Sequence, residues 1–237
     1  MNRGSLLAGQ RLRTLAVTVV LLLAPRAGHA QLALSIFGGS SFSAPTPLHI
    51  TQAGFPDFDF TAHYQTKPFY ETYYYAGRLA LWGKQNKAWI FDYTHHKVYL
   101  TNPPPGIQQF RITYGYNQFA FGRAFYSRGL IYSVAAGPVI GNPFSEIHGQ
   151  VRDHSGGPWD SGYLLAGATA QIGLSKQFRI IDRFFLVADS RVSFSYARVP
   201  VSNGHANVPN VALHLHFGAG FGGPRHWATI AKEDQTD

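Results

Sequence analysis

The most constraining feature of this sequence is a period of two in apolar character that recurs along the chain between turn residues. The clearest example is residues 211–221, where Val, Leu, Leu, Phe, Ala and Phe alternate with Ala, His, His, Gly and Gly. Because alternate side chains of a strand point to opposite faces, one face suits lipid and the other a polar or tightly packed interior. A soluble sandwich would instead carry many charges on its outer face.

Eight such segments are predicted as strands, near residues 32–42, 70–83, 88–100, 109–125, 130–140, 163–176, 184–199 and 210–222. Tight turns at 84–87, 126–129 and 182–183 alternate with longer loops at 43–69, 101–108, 141–162 and 200–209. This alternation is typical of bacterial outer-membrane barrels. The sequence therefore predicts an all-β fold over residues 31–222, an eight-stranded antiparallel up-and-down transmembrane β-barrel with its long loops outside the cell.

Composition agrees with this fold. Aromatic residues make up 15% of the chain and charged residues only 14%, against about a quarter in soluble domains. Aromatic side chains are expected at the two membrane interfaces. The inner set is Trp82, Trp89, Phe121, Phe125, Phe178, Phe184 and Phe185, and the outer set is Tyr70, Tyr73, Tyr74 and Tyr75.

Both ends of the chain differ from this pattern. Residues 1–30 combine an arginine-containing start, an apolar run and the small residues of Gly28-His29-Ala30, which predicts a signal peptide cleaved near Gln31 and export to the outer membrane. Residues 223–237 are polar and without period, so we expect a disordered periplasmic tail. Phe221 would be the terminal aromatic residue that the barrel assembly machinery reads.

Charge and cysteine content exclude several functions. Removal of the signal peptide takes four of the 20 basic residues, so the formal net charge falls from +8 to +4. The sequence has no dense block of basic residues that could bind along a nucleic-acid backbone, so nucleic acid is not an expected partner. The chain has no cysteine, which excludes disulfides, thiolate metal sites and cysteine nucleophiles. We expect a monomer, and the sequence identifies no cofactor.

The polar faces of the predicted strands define the lumen. They bring Arg78, Arg111 and Arg191 together with Asp92 and Asp189. Eight strands leave room for side chains and little else, and buried charges must be paired. The first interpretation is therefore a salt-bridged plug that fixes strand register. The pattern also slips near Asn117, where a bulge is expected.

Two further interpretations concern lumen histidines. His214 and His216 share one strand face, and imidazoles at that spacing can bind one metal ion if a carboxylate such as Asp189 joins them. Alternatively, Ser193 or Ser195 could neighbour one of these histidines across the strand pair and form a serine–histidine arrangement. No hydrolase motif accompanies either pattern.

Several segments resemble one family of barrels. The segment Asp92-Tyr93-Thr94-His95-His96-Lys97-Val98-Tyr99 is similar to the D-F-T-H-A-K-V-Y type of segment in lipid A oxidase-like outer-membrane barrels. Further similar stretches follow in the same order: Phe110 to Asn117, Gly137, Gly167 to Gln171, and Asp189 with Arg191. The resemblance covers about residues 75–222. His96 and Ala168 stand where the family has a small residue and a proline.

The resemblance implies oxidation of the proximal glucosamine of lipid A. The matching positions are the candidate catalytic residues: Asp92, His95, Lys97, Asn117, Gln171, Asp189 and Arg191. Three hypotheses follow, namely a non-catalytic structural or interaction barrel, a lipid A-modifying enzyme, and a lipid A deacylase. The expected partner in each case is outer-membrane lipid, lipid A or lipopolysaccharide. A deacylase would need a serine beside a histidine at the outer rim.

Overall fold

The computed structural model describes residues 31–153 and 162–224. Its strands, in chain order, are β1 (Gln31–Ser43), β2 (Thr46–Gln52), β3 (Phe58–Ala62), β4 (Tyr64–Gln65), β5 (Tyr75–Trp82), β6 (Lys87–Leu100), β7 (Ile107–Ser127), β8 (Leu130–Ile147), β9 (Gln150–Arg152), β10 (Leu164–Ile181), β11 (Phe184–Val201) and β12 (Gly204–Gly222). Over the described ranges, no helix is long and apolar enough to cross a membrane. The predicted signal peptide and residues 225–237 of the predicted tail lie outside these ranges.

Eight of the strands form a closed ring. Each of them pairs antiparallel with its neighbours in the order β1-β5-β6-β7-β8-β10-β11-β12, and β12 pairs back onto β1. The chain is therefore an eight-stranded antiparallel up-and-down transmembrane β-barrel, as the sequence predicts. The four short strands extend one end of it: β2 pairs with β12, β3 with β2, β4 with β6 and β9 with β8.

The predicted tight turns lie together at one end of the barrel, which we call the turn end; the opposite end is the loop end. Ser127 pairs directly with Leu130, and the two residues between them, Arg128 and Gly129, have φ of 49° and 76°. Positive φ at both positions matches the type I′ turn, whose twist suits a hairpin. Ile181 likewise pairs with Phe184 across two residues.

The prediction of a long loop at 200–209 is wrong. β11 and β12 continue through this stretch to a tight turn, with Val201 paired to Gly204. Pro200 and Pro209 suggested a loop, yet Val199, Val201, Ala206 and Val208 alternate with more exposed residues and are buried. β8 also extends beyond its predicted end, to Ile147, whereas β5 begins at Tyr75 rather than near residue 70.

The outer face of the ring is apolar. On β12, Leu213, Leu215 and Phe217 are exposed while His214 and His216 are buried, so the predicted two faces of this strand are confirmed. Other exposed side chains on the ring include Leu34, Ile36, Leu79, Phe91, Phe121, Val134, Ile172 and Phe194. An outward apolar band of this kind is the lipid-facing surface of a transmembrane barrel.

The lumen contains polar residues between two apolar clusters. At the turn end, the cluster is built mainly of alanines with Trp82, Ile90 and Ile131. At the loop end, a larger cluster includes Leu48, Phe110 and further residues from β2, β4, β6, β7, β8, β10, β11 and β12. These clusters close the lumen on both sides of the polar middle.

Some of the predicted interface aromatics point inward. Trp82 shares a strand face with Arg78, and Phe185 shares one with Asp189, so both are buried in the lumen. Tyr74 is buried as well, whereas Tyr70, Tyr73 and Tyr75 are exposed as predicted. Trp89, Phe121, Phe125, Phe178 and Phe184 also stay exposed.

Candidate functional site

The candidate catalytic residues fall into two separate places. Asp92, Gln171, Asp189 and Arg191 meet inside the lumen, whereas His95 and Asn117 meet on the outward side of β6 and β7, with Lys97 beside them. The wall of the barrel lies between the two groups. The two groups therefore need separate explanations.

Four charged residues form what we call the lumen quartet: Arg78, Asp92, Asp189 and Arg191. Arg78 donates from Nε and Nη2 to the two carboxylate oxygens of Asp92, at 2.7 and 2.9 Å. Arg191 donates from Nε to Oδ2 of Asp189 at 2.7 Å. Longer contacts of 3.4 Å (Arg78 to Asp189) and 3.5 Å (Arg191 to Asp92) complete the set. Each carboxylate therefore faces both guanidinium groups.

Neutral side chains add hydrogen bonds to the quartet, while Nη1 and Nη2 of Arg191 are buried without a hydrogen-bond partner among the described residues. Gln171 donates from Nε2 to Oδ2 of Asp92 at 2.7 Å, and the Ser175 hydroxyl donates to Oδ1 of Asp189 at 2.6 Å. The quartet holds two positive and two negative charges and is at most 7% exposed. Paired, bonded charges of this kind fit the predicted plug.

Arg111 does not belong to the quartet, so its predicted place in the lumen is wrong. Phe110 and Ile112 point inward into the apolar cluster, which leaves Arg111 on the outward face. There it forms an ion pair with Glu71 at the loop end. Proline and glycine dominate the sequence before β7, so the strand's facing could not be fixed from its start.

A chain of hydrogen bonds crosses the lumen beside the quartet. The Tyr74 hydroxyl lies 2.7 Å from Nδ1 of His214 and 2.8 Å from Nε2 of His216. Nε2 of His214 is 2.8 Å from the Ser193 hydroxyl, and Nδ1 of His216 is 2.9 Å from Asp189 Oδ2. Since a carboxylate only accepts, His216 donates from Nδ1. With both imidazoles neutral, each preceding bond then has one direction: Ser193 donates to His214, His214 to Tyr74, and Tyr74 to His216.

This arrangement bears on both histidine interpretations. All four ring nitrogens of His214 and His216 already have protein partners, and the described residues contain no group of three metal-ligating side chains. The metal site stays a prediction. The expected serine–histidine contact exists between Ser193 and His214, but the two side chains are 0% and 1% exposed. Such burial suits a structural contact better than a nucleophile.

The outward group lies where the regular pairing of β6 ends. His95 is paired in register with Tyr75 and Asn117, and two irregularities in the neighbouring strands begin just beyond it. Between β4 and β5, residues 66–74 lie opposite only three residues of β6, 96–98. On the other side, residues 113–115 of β7 form a bulge opposite Lys97, which confirms the predicted irregularity near Asn117. Gly115 has φ of +134° there. Bulges commonly re-aim side chains beside active sites.

The resulting rim site consists of Thr72, Tyr75, Tyr93, His95 and Asn117. The amide oxygen of Asn117 accepts a hydrogen bond from the Tyr93 hydroxyl at 2.9 Å and lies 2.8 Å from Nδ1 of His95. The His95 ring stacks on Tyr75, with 5.1 Å between ring centroids. Nε2 of His95 is 3.4 Å from the hydroxyl oxygen of Thr72. A histidine oriented by an amide can serve as a general base.

Lys97 fixes the segment that covers the rim site. Its ammonium donates to the backbone carbonyls of Lys67, Tyr70 and Thr72, at 2.9 Å for Lys67 and 2.5 Å for Thr72. Three carbonyl acceptors satisfy the three ammonium hydrogens. Lys97 therefore positions Thr72 and is not itself open to a ligand.

The sequence did not indicate Glu71, Thr72 and Tyr74 as site residues. All three lie in the irregular stretch 66–74, which carries no period. The only local signal was the tyrosine run, which we interpreted as an interface girdle.

No protein-family model matches this chain, and no curated protein matches it. Among solved structures, the attachment invasion locus protein Ail of Yersinia pestis is 12% identical over 82% of this chain and 97% of its own, with a TM-score of 0.38. Neisserial surface protein A is 10% identical over 81% and 96%, with a TM-score of 0.32. The β domain of the Bordetella autotransporter BrkA is 15% identical over 80% and 69%, with a TM-score of 0.27. At these TM-scores, the strand pairing alone supports the description of the fold.

Proposed function

We propose that the protein is an outer-membrane barrel that acts on the headgroups of outer-leaflet lipid, of the lipid A type, at the rim site. One observation carries this proposal: the pairing of β6 with β7 puts His95 directly opposite Asn117, on the face of the barrel that also bears the apolar band. This face adjoins the lipid, and residues 66–74 cover the site itself, leaving His95 and Asn117 6% and 5% exposed. These two residues and Lys97 are also among the seven positions that match the resembling family.

The lumen is poorly suited to the transport of solutes, which favours a function on the outer surface. Apolar clusters lie on both sides of the quartet, and the quartet's charges are paired among themselves. A solute would have to break buried ion pairs to pass, at a cost of several kcal/mol per ion. Transport through the barrel is therefore disfavoured relative to chemistry on its outer surface.

The resemblance to lipid A oxidase-like barrels implies oxidation of glucosamine, and a base at the membrane surface would serve such a reaction. A deacylase would also need a base beside a hydroxyl. The rim site offers Thr72 in that place, rather than the serine expected from the sequence. Both activities change the mass of lipid A, in opposite directions.

Mass spectrometry of lipid A from a host that does not modify it tests the proposal. The wild-type protein and the His95→Ala variant are expressed separately. His49→Ala is the control, because His49 is a partly exposed histidine on β2, which pairs with β12 and β3 and not with the rim-site strands β6 and β7. Gain of one oxygen supports an oxidase, and loss of an acyl chain supports a deacylase. Either change should disappear in His95→Ala and persist in His49→Ala.

A second candidate is a structural barrel without catalysis. The lumen quartet favours it, because a plug of paired charges explains Asp92, Gln171, Asp189 and Arg191 without any reaction. Unchanged lipid A mass in every strain, with the protein folded in the outer membrane, would support this candidate and contradict the enzymatic one.

A further inference from the structure

The hydrogen bonds of Asn117 determine which nitrogen of His95 carries a proton. The amide oxygen of Asn117 accepts from the Tyr93 hydroxyl and can only accept from His95 as well. Nδ1 of His95 therefore carries the hydrogen. In the neutral imidazole, Nε2 is then left with a lone pair and can accept a hydrogen bond.

Thr72 does not satisfy that lone pair. Its hydroxyl is 3.4 Å from Nε2, but the same hydroxyl donates its hydrogen to the backbone carbonyl of Thr113 at 2.8 Å. A hydroxyl has one hydrogen to donate. Nε2 of His95 thus lies beside a group that does not donate to it, in a side chain that is only 6% exposed, whereas Thr72 itself is partly exposed.

The surroundings of Nε2 favour a polar ligand with some negative charge. Tyr75 lies against the His95 ring and is 44% exposed on the outward face. The covering segment carries the exposed Lys67, whose ammonium lies 4.8 Å from the centre of the Tyr99 ring. The side chains of Lys67, Lys97 and Arg111 carry three positive charges, against the single negative charge of Glu71. Phosphorylated sugar lipids combine hydroxyl groups with negative charge.

We infer that Nε2 of His95 accepts a hydrogen bond from an alcohol hydroxyl of an anionic glycolipid headgroup, which takes the place of Thr72 as the nearest neighbour of that nitrogen. This rests on the proposed function and names the group that the rim site recognises. Asn117 and Tyr93 are positioning residues, because they act by fixing the orientation and proton of the imidazole.

Nitrogen NMR of the full chain in detergent micelles, labelled with ¹⁵N-histidine and assigned by comparison with His95→Gln, tests the inference. We expect His95 to show a protonated Nδ1 and an unprotonated Nε2. Adding purified lipid A should shift the Nε2 signal of His95. Phosphatidic acid, which is anionic but has no alcohol hydroxyl, should leave it in place.

Each other result overturns the inference. A proton on Nε2 in the free protein contradicts the orientation by Asn117. Equal shifts with lipid A and phosphatidic acid would indicate a response to charge alone, and no shift with either would indicate that the nitrogen binds no headgroup. Mass spectrometry of lipid A distinguishes a failure of this recognition from a failure of the proposed catalysis. A shift of Nε2 with unchanged masses keeps the recognition and refutes catalysis, whereas changed masses without a shift refute only the recognition.

Discussion

The hydroxyl of Tyr74 lies 2.8 Å from Nε2 of His216, although the two residues are 142 positions apart in the chain. This contact joins the irregular segment 66–74 to the lumen side of β12. The same hydroxyl also contacts His214, so one phenol connects two imidazoles to Ser193 and Asp189. The segment therefore holds the rim site with its outward residues and the lumen network with Tyr74.

Tyr74→Phe should destabilise the barrel although it removes a single oxygen atom. Both histidines would lose a buried partner, and an unsatisfied buried polar group costs about 1–3 kcal/mol. Urea unfolding in detergent measures the loss. Tyr73→Phe is the matched control, because Tyr73 is 71% exposed and should unfold like the wild type. Equal stability of the two variants would show that the hydroxyl of Tyr74 is not a bonded part of the lumen.

Asp189→Asn should weaken the barrel more strongly. The change leaves two guanidinium groups facing one carboxylate in the buried quartet, and breaking a buried ion pair costs about 3–5 kcal/mol. On gels, the folded protein migrates differently from the heat-unfolded protein. In Asp189→Asn this difference should disappear at a lower heating temperature than in the wild type. Asp59→Asn on the exposed edge of β3 serves as control. Unchanged stability together with loss of the lipid A modification would instead assign Asp189 to catalysis.

Leu215→Arg tests the lipid-facing surface. Leu215 is 46% exposed on β12 between buried His214 and His216. An arginine facing lipid costs about 2–4 kcal/mol at the membrane midplane and less near the interface. The yield of refolding into lipid vesicles and the unfolding of the inserted protein measure this cost. Thr61→Arg on β3, outside the ring, should have little effect, and a similar tolerance at both positions would contradict a transmembrane β12.

Lys97→Met should loosen residues 66–74 without unfolding the barrel. Three backbone carbonyls lose their shared donor, while the ring strands keep their pairing. Hydrogen exchange of the Tyr74 amide, which donates to the carbonyl of Pro68 at 2.8 Å, should become faster. Lys67→Met removes an exposed ammonium from the same segment and should leave this exchange rate unchanged. Slow exchange in Lys97→Met would show that the segment is held by other contacts.

Local sequence pattern was sufficient for much of the fold. A period of two assigns faces within one strand, so the inward positions of Arg78, Asp92, Asp189 and Arg191 could be predicted from their neighbours alone. The break in that period near Asn117 likewise predicted a bulge. These predictions succeed because the alternation of side chains is a property of the strand itself, independent of its partners.

The site depended on contacts that no local pattern contains. Arg111 lies on the outward face with Glu71, and Tyr74 enters the lumen from a stretch without period. Which residues meet across a barrel is set by the register of strand pairs and by the extra residues that each strand inserts. The sequence by itself therefore determined the barrel and the polar lining of its lumen. Only the tertiary structure decided that His95 and Asn117 meet on the outer rim, because the register that pairs β6 with β7 is set between the two strands and not within either one.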